Sequence, residues 1–118
     1  MAVQHYSGGC QCGAVRYEVD VDLEHTVTCN CSRCRRLGSI LAFAPASAFR
    51  LLSGEGKASE YLFNTRKIHH LFCATCGIES FASAAAPDGS DMVAVNARCL
   101  DGVDLKSLHP IEYDGASK

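Results

Sequence analysis

Seven of the eight cysteines in this 118-residue sequence fall into three short clusters spaced as metal-binding thiols are. The first is Gly9-Cys10-Gln11-Cys12-Gly13, the second Cys29-Asn30-Cys31-Ser32-Arg33-Cys34, and the third Cys73-Ala74-Thr75-Cys76-Gly77. Only Cys99 stands alone. Tetrahedral zinc holds thiolates at about 2.3 Å, so its sulfurs must converge closely. In Cys-x-x-Cys a tight turn brings both sulfurs to one side, and Gly77 lets the backbone reverse behind the metal. In Cys-x-Cys the two residues share one face of a strand, and their sulfurs meet only if the strand bends. Gly8, Gly9 and Gly13 permit that bend. Cys10, Cys12, Cys73 and Cys76 thus make a closed four-thiolate site, expected to hold a structural zinc that pins the first strand to the middle of the chain. A lone cysteine is usually a small buried hydrophobe, but packing does not explain seven of them in these patterns.

The second cluster offers different chemistry. Cys29, Cys31 and Cys34 supply three sulfurs in six residues. Three protein ligands leave one coordination position open, which is the pattern of a catalytic zinc. That position can take water, a substrate thiol or a fourth protein ligand. Two zinc ions per chain are therefore expected, and the exposed second site can stand empty or oxidised. Cys99 precedes a turn at Asp101-Gly102 and is expected to be a reduced, partly buried thiol; as a fourth ligand it would close the second site. Arg33, Arg35 and Arg36 flank the cluster. Guanidinium groups hold carboxylates in a bidentate way, so these three are candidate substrate-binding side chains. The plainer alternative is that they balance thiolate charge or face solvent. His69 and His70 are adjacent on a predicted strand and point to opposite faces, so at most one reaches a given site. His5, His25 and His109 have surface or packing roles, and Tyr61, Phe63, Phe72 and Phe81 are expected in the core.

The elements that must position these residues are strands. Val15, Tyr17, Val19 and Val21 alternate strictly with Arg16, Glu18, Asp20 and Asp22, the period of a half-buried strand. Further strands are expected at residues 25–28, 39–43, 49–52, 58–63, 68–72, 79–84 and 92–97. Turn residues separate them: Ser53-Gly54-Glu55-Gly56, Asn64-Thr65, Pro87-Asp88-Gly89 and Asp101-Gly102. One helical turn is expected after Ser32 and another from Pro45, and no stretch sustains a helical period over ten residues. Many short strands at about ten-residue spacing predict an all-β fold. No repeat, low-complexity segment or linker divides it, so residues 1–118 are expected to form a single zinc-binding domain.

Composition narrows the function. Hydrophobic residues make up 47% and charged residues 20%, which excludes disorder. A net charge of −2 argues against broad electrostatic binding of nucleic acid. There is no run of eighteen apolar residues, so no membrane span is expected. The N-terminal residues lack a charged-then-apolar signal segment, so the expected location is cytoplasmic, where clustered cysteines persist as thiols for metal or catalysis. Exposed edges of small β folds often pair, so a homodimer is plausible.

Three ordered motifs give the chain a family resemblance over nearly its whole length. They are Gly9-Cys10-Gln11-Cys12-Gly13-Ala14-Val15-Arg16-Tyr17, Cys29-Asn30-Cys31-Ser32-Arg33-Cys34-Arg35-Arg36 and Phe72-Cys73-Ala74-Thr75-Cys76-Gly77. In these it resembles the glutathione-dependent formaldehyde-activating enzymes, a family shared with centromere protein V. Asn30 stands where many members carry His. The resemblance implies several coiled antiparallel β-sheets without a large helix. It also implies a structural zinc on Cys10, Cys12, Cys73 and Cys76, and a second zinc on Cys29, Cys31 and Cys34. It further implies a link between that second zinc and glutathione, whose two carboxylates suit the arginines. The implied reaction is the formation and cleavage of a thiol–aldehyde adduct such as S-hydroxymethylglutathione, formally that of a carbon–sulfur lyase. Two other functional classes remain open: a non-catalytic zinc module for protein or nucleic-acid partners, and a thiol redox or metal sensor. Two closed four-cysteine sites would favour the module, and reversible disulfides at Cys29, Cys31 and Cys34 would favour the sensor.

Overall fold

The computed structural model describes residues 3–56, 58–62, 68–86 and 88–117. These residues form two β-sheets and almost no helix. The smaller sheet contains β1 (Gln4–Gly9), β2 (Arg16–Val21) and β5 (Phe49–Ser53), antiparallel in the order β1-β2-β5. The larger contains β3 (Thr26–Cys29), β4 (Leu41–Pro45), β6 (Ala58–Tyr61), β7 (His69–Cys73), β8 (Phe81–Ala85), β9 (Asp91–Asn96) and β10 (Ile111–Tyr113). Its order is β10-β3-β4-β9-β8-β7-β6. Every pairing is antiparallel except β10 against β3, which is parallel. Among the described residues no helix is long and apolar enough to cross a membrane.

The alternation in β2 does what its period requires. Tyr17, Val19 and Val21 are buried, whereas Arg16, Glu18 and Asp20 face outward. Their partners lie on the inner face of the large sheet, where Ala42 pairs with Val95 and Val95 with Phe81. The alanines of β4 leave room for the large rings opposite. Tyr17, Phe49 and Phe81 fill that space with centroid separations of 4.7 to 5.6 Å, in tilted and edge arrangements. The Tyr17 hydroxyl is not wasted on this apolar setting, since it donates to the Ser80 carbonyl at 2.9 Å.

Several expectations need adjustment. The Cys10-Gln11-Cys12 motif is not part of a bent strand. β1 ends at Gly9, and the motif forms a tight loop closed by the Cys10 N–H on the Val15 carbonyl at 3.0 Å, with Gly13 at φ +86°. Tyr61 is not core: it is exposed at the end of β6. Strands β1 and β10 escape the alternation rule because β1 is polar and glycine-rich and β10 is three exposed residues. The helical turn after Ser32 is α1 (Cys34–Leu37), ended by Gly38 at φ +74°, and a 3₁₀ turn at Ala46–Ala48 follows Pro45. The expected turn at Asn64-Thr65, the core role of Phe63 and Pro87 of the next turn lie outside the described residues.

Replacing Tyr17 by Phe removes the buried hydroxyl and keeps the ring. It should lower stability by about 0.5–1.5 kcal/mol, the worth of one hydrogen bond, because the Ser80 carbonyl still accepts the Asn96 N–H at 2.9 Å. A denaturation midpoint equal to that of the wild type would contradict this.

Candidate metal centres

The loop after β1 meets the end of β7. The Sγ atoms of Cys10, Cys12, Cys73 and Cys76 all lie within 4.8 Å of one another. Cys12 Sγ is 3.7 Å from Cys10 Sγ and 3.7 Å from Cys73 Sγ. Tetrahedral zinc with bonds of about 2.3 Å sets its sulfurs about 3.8 Å apart, so the donor set fits the ion in both number and spacing. The backbone explains the convergence. Thr75 and Cys76 donate their N–H groups to Cys73 Sγ at 3.4 and 3.5 Å, and Val15 donates to Cys10 Sγ at 3.3 Å. Gly77 then turns the chain at φ +80°, its N–H on the Cys73 carbonyl at 2.8 Å.

Thiol acidities in this cluster are spread by the same contacts. The N–H groups of Cys12 and Ile78 bring Cys76 down to about 6. Those of Cys76 and Thr75 lower Cys73 as well. At Cys12 the Ala14 N–H favours the thiolate, but desolvation and the facing sulfurs of Cys10, Cys73 and Cys76 outweigh it and push the thiol up to about 11. Four thiols this close cannot all ionise without a cation among them.

Cys29, Cys31 and Cys34 also converge within 4.8 Å, between the end of β3 and the start of α1. The Cys31 N–H faces Cys29 Sγ at 3.5 Å, and the Cys34 N–H faces Cys31 Sγ at 3.3 Å. Partial burial works against the Cys31 thiolate, but the Cys34 N–H and the Cys34 thiol reverse this and hold Cys31 below the ordinary thiol value. Burial and the neighbouring Cys31 raise Cys34 instead. Three sulfurs within 4.8 Å of one another are a donor set that could hold a metal ion. Cys99 is not a member of either group. Burial raises its thiol to about 11, and the charges it then senses are Cys10, Cys76 and Glu79, none from the second cluster.

The three arginines part company. Arg33 turns inward and pairs with the buried Glu79, its terminal nitrogen 2.5 Å from Oε1. Its guanidinium also lies 4.5 Å from the centre of the Tyr61 ring. Arg36 bonds the Ser32 carbonyl at 2.8 Å and, with Ser32, Arg33, Leu37 and Tyr61, lines a cleft of about 540 Å³ beside the cluster. Arg35 is exposed. Glu79 was not singled out in the sequence, where it is one acid among thirteen. Its other oxygen lies 3.3 Å from His70 Nδ1, so it bridges β7 to the second cluster. Burial raises a carboxyl, but His70 and Arg33 outweigh that and hold Glu79 below its ordinary value. His69, on the opposite face, meets Glu60 at 2.6 Å.

Two close sets of thiols that could hold metal ions, carried on loops of β-sheets, mark an all-β class of protein. The chain matches the model of the glutathione-dependent formaldehyde-activating enzymes over residues 5–113, and it belongs to that family. Among solved structures, the crystal structure of a Rhodobacter sphaeroides protein matches it at a TM-score of 0.79 and 35% sequence identity. That match covers 90% of this chain and 97% of the other.

The Arg33–Glu79 pair is half of a testable linkage. Glu79→Gln should cost about 2–3 kcal/mol, less than a fully buried pair because Arg33 keeps part of its surface in water. Adding Arg33→Met to that variant should cost less than the two separate losses together. Strict additivity in denaturation would contradict the pairing.

Proposed function

We propose that the protein is a zinc-dependent carbon–sulfur lyase that forms and cleaves a thiol–aldehyde adduct of the S-hydroxymethylglutathione type. The observation that carries this reading is the cluster of three sulfurs, with no fourth His, Cys, Asp or Glu ligand atom grouped with them among the described residues, next in sequence to the Ser32, Arg33 and Arg36 that line a cleft. Family membership supports it by pointing to glutathione and formaldehyde. On this reading residues 1–118 are one domain with two zinc ions. Cys10, Cys12, Cys73 and Cys76 hold the structural one, and Cys29, Cys31 and Cys34 hold the one used in catalysis.

Zinc bound at the second cluster supplies acidity to an entering thiol and polarises a carbonyl. The protein's own residues do the rest. Arg36, at the rim of the cleft, takes a carboxylate of the thiol, and Arg35 adds positive charge on the same turn of α1. Arg33, committed to Glu79, holds Tyr61 as the cleft wall. In the forward direction the sulfur lone pair forms a bond to the aldehyde carbon. The carbonyl π pair moves to oxygen, which takes up a proton to give the hydroxymethyl thioether. In reverse the hydroxyl loses its proton, the C–S bond breaks with its pair going to sulfur, and the aldehyde leaves. No oxidant is needed in either direction.

The cleft's volume of about 540 Å³ falls within the range of about 300–1,000 Å³ usual for ligand pockets. The proposed setting is the cytoplasm, where glutathione and free thiols persist. A homodimer is compatible with the exposed strand edges but is not required by the site.

Cys31→Ala should lose one zinc per chain, as read by elemental analysis, and keep its circular dichroism spectrum. Retention of both ions, or collapse of the fold with both retained, would reverse the assignment of the two clusters. Arg36→Ala should raise KM for the thiol about tenfold with little change in kcat, the signature of lost ground-state binding. An unchanged KM would remove Arg36 from the site.

A further inference from the structure

The turn that follows β10 lies against the second cluster. β10 runs alongside β3 with Ile111 opposite Val27 and Tyr113 opposite Cys29. The chain then crosses Asn30, the residue between the first two cysteines. The Asn30 N–H donates to the Tyr113 carbonyl at 3.2 Å. Its Nδ2 donates to Asp114 Oδ1 at 3.0 Å, and its Oδ1 accepts from the Ala116 N–H at 2.9 Å. Both ends of the side-chain amide are thus engaged on the two neighbours of Gly115. Ser117 Oγ closes the turn by donating to Asp114 Oδ2 at 2.5 Å. Gly115 is pressed onto the thiols: a Cβ there would stand 2.5 Å from Cys29 Sγ and 3.3 Å from Cys31 Cβ. No side chain can be accommodated at the first of these distances without displacing the turn or the sulfur.

We propose that Asn30 is a positioning residue of the second metal centre: its amide clamps residues 114–117 over Cys29, so that metal and thiol ligands exchange from the cleft side lined by Ser32, Arg36, Leu37 and Tyr61. The inference rests on the reading of Cys29, Cys31 and Cys34 as an open metal centre. Asn30 touches no reacting atom in this role. It acts through the turn, which shields one ligand sulfur from water and from competing chelators. Gly115 sets how closely that shield can approach.

The test is zinc release from the full-length, zinc-loaded protein to the chromophoric chelator pyridylazoresorcinol, followed by absorbance. The wild type should release zinc in a fast phase from the second centre and a slow phase from the four-cysteine site. Asn30→Asp keeps the side-chain shape but sets a carboxylate against that of Asp114. It should speed the fast phase about tenfold and leave the slow phase unchanged, as expected when the Nδ2 hydrogen bond to Asp114 is replaced by repulsion between two carboxylates while the Ala116 N–H keeps its acceptor. The exchanged pair, Asn30→Asp with Asp114→Asn, restores donor and acceptor and should return the fast phase toward the wild-type rate. Gly115→Ala, which lifts the turn with Asn30 intact, should speed the fast phase too. A fast phase unaltered in both Asn30→Asp and Gly115→Ala overturns the clamp and leaves the open centre standing. A fast phase that the exchanged pair fails to slow also overturns the clamp. Release of all zinc from the wild type in one slow phase overturns the clamp and the open-centre reading together.

Discussion

Four sulfurs brought from two distant loops to within 4.8 Å of one another are the constraint on which the rest of this structure depends. The loop after β1 belongs to the small sheet and the turn after β7 to the large one. Their meeting point therefore ties the two sheets together. Cys10 and Cys73 are themselves buried and join the core cluster with Val15, Tyr17 and Phe81. The thiols would repel one another as anions, and a cation shared among them would offset that repulsion. A structural zinc is worth on the order of 10 kcal/mol, comparable to the whole stability of a domain this size.

The second cluster inherits its placement from the first. Glu79 follows the Cys73–Cys76 turn by three residues, and its carboxylate reaches Arg33 inside the Cys29–Cys34 loop. His70 holds the same carboxylate from β7, and Asn96 Nδ2 holds the Glu79 carbonyl at 3.3 Å. The two thiol sets are thus linked by a buried polar bridge rather than by a shared strand. The inner arginine serves that bridge, whereas Arg36, which also lines the cleft, bonds only the Ser32 carbonyl among the contacts seen. A charge that looks free in the sequence is already paired in the fold.

Much of this was legible in the residues alone. The cysteine spacings grouped the ligands into a four-sulfur and a three-sulfur set, and the structure brings those groups together. The valine–tyrosine alternation of β2 specified its buried face. Positions of short strands were readable to within two or three residues wherever β-branched or aromatic residues ended at glycine turns. What was not readable shares one cause: it depends on contacts between residues far apart in sequence. Glu79 has no motif around it, and its role comes from Arg33 and His70 across the fold. Tyr61 has a core residue's chemistry, yet it sits at the end of β6 over a guanidinium rather than among apolar side chains. β10 carries no periodic signal because three exposed residues bury no face, and its register comes from Asn30 and the segment beyond.

The most direct measurement is zinc K-edge X-ray absorption of the protein as purified, with the zinc-to-protein ratio taken on the same sample. The account predicts two zinc ions per chain with sulfur as the dominant neighbour at about 2.3 Å, between three and four sulfurs per ion on average. A protein without zinc, or with zinc surrounded mainly by nitrogen and oxygen at about 2.0–2.1 Å, would contradict it.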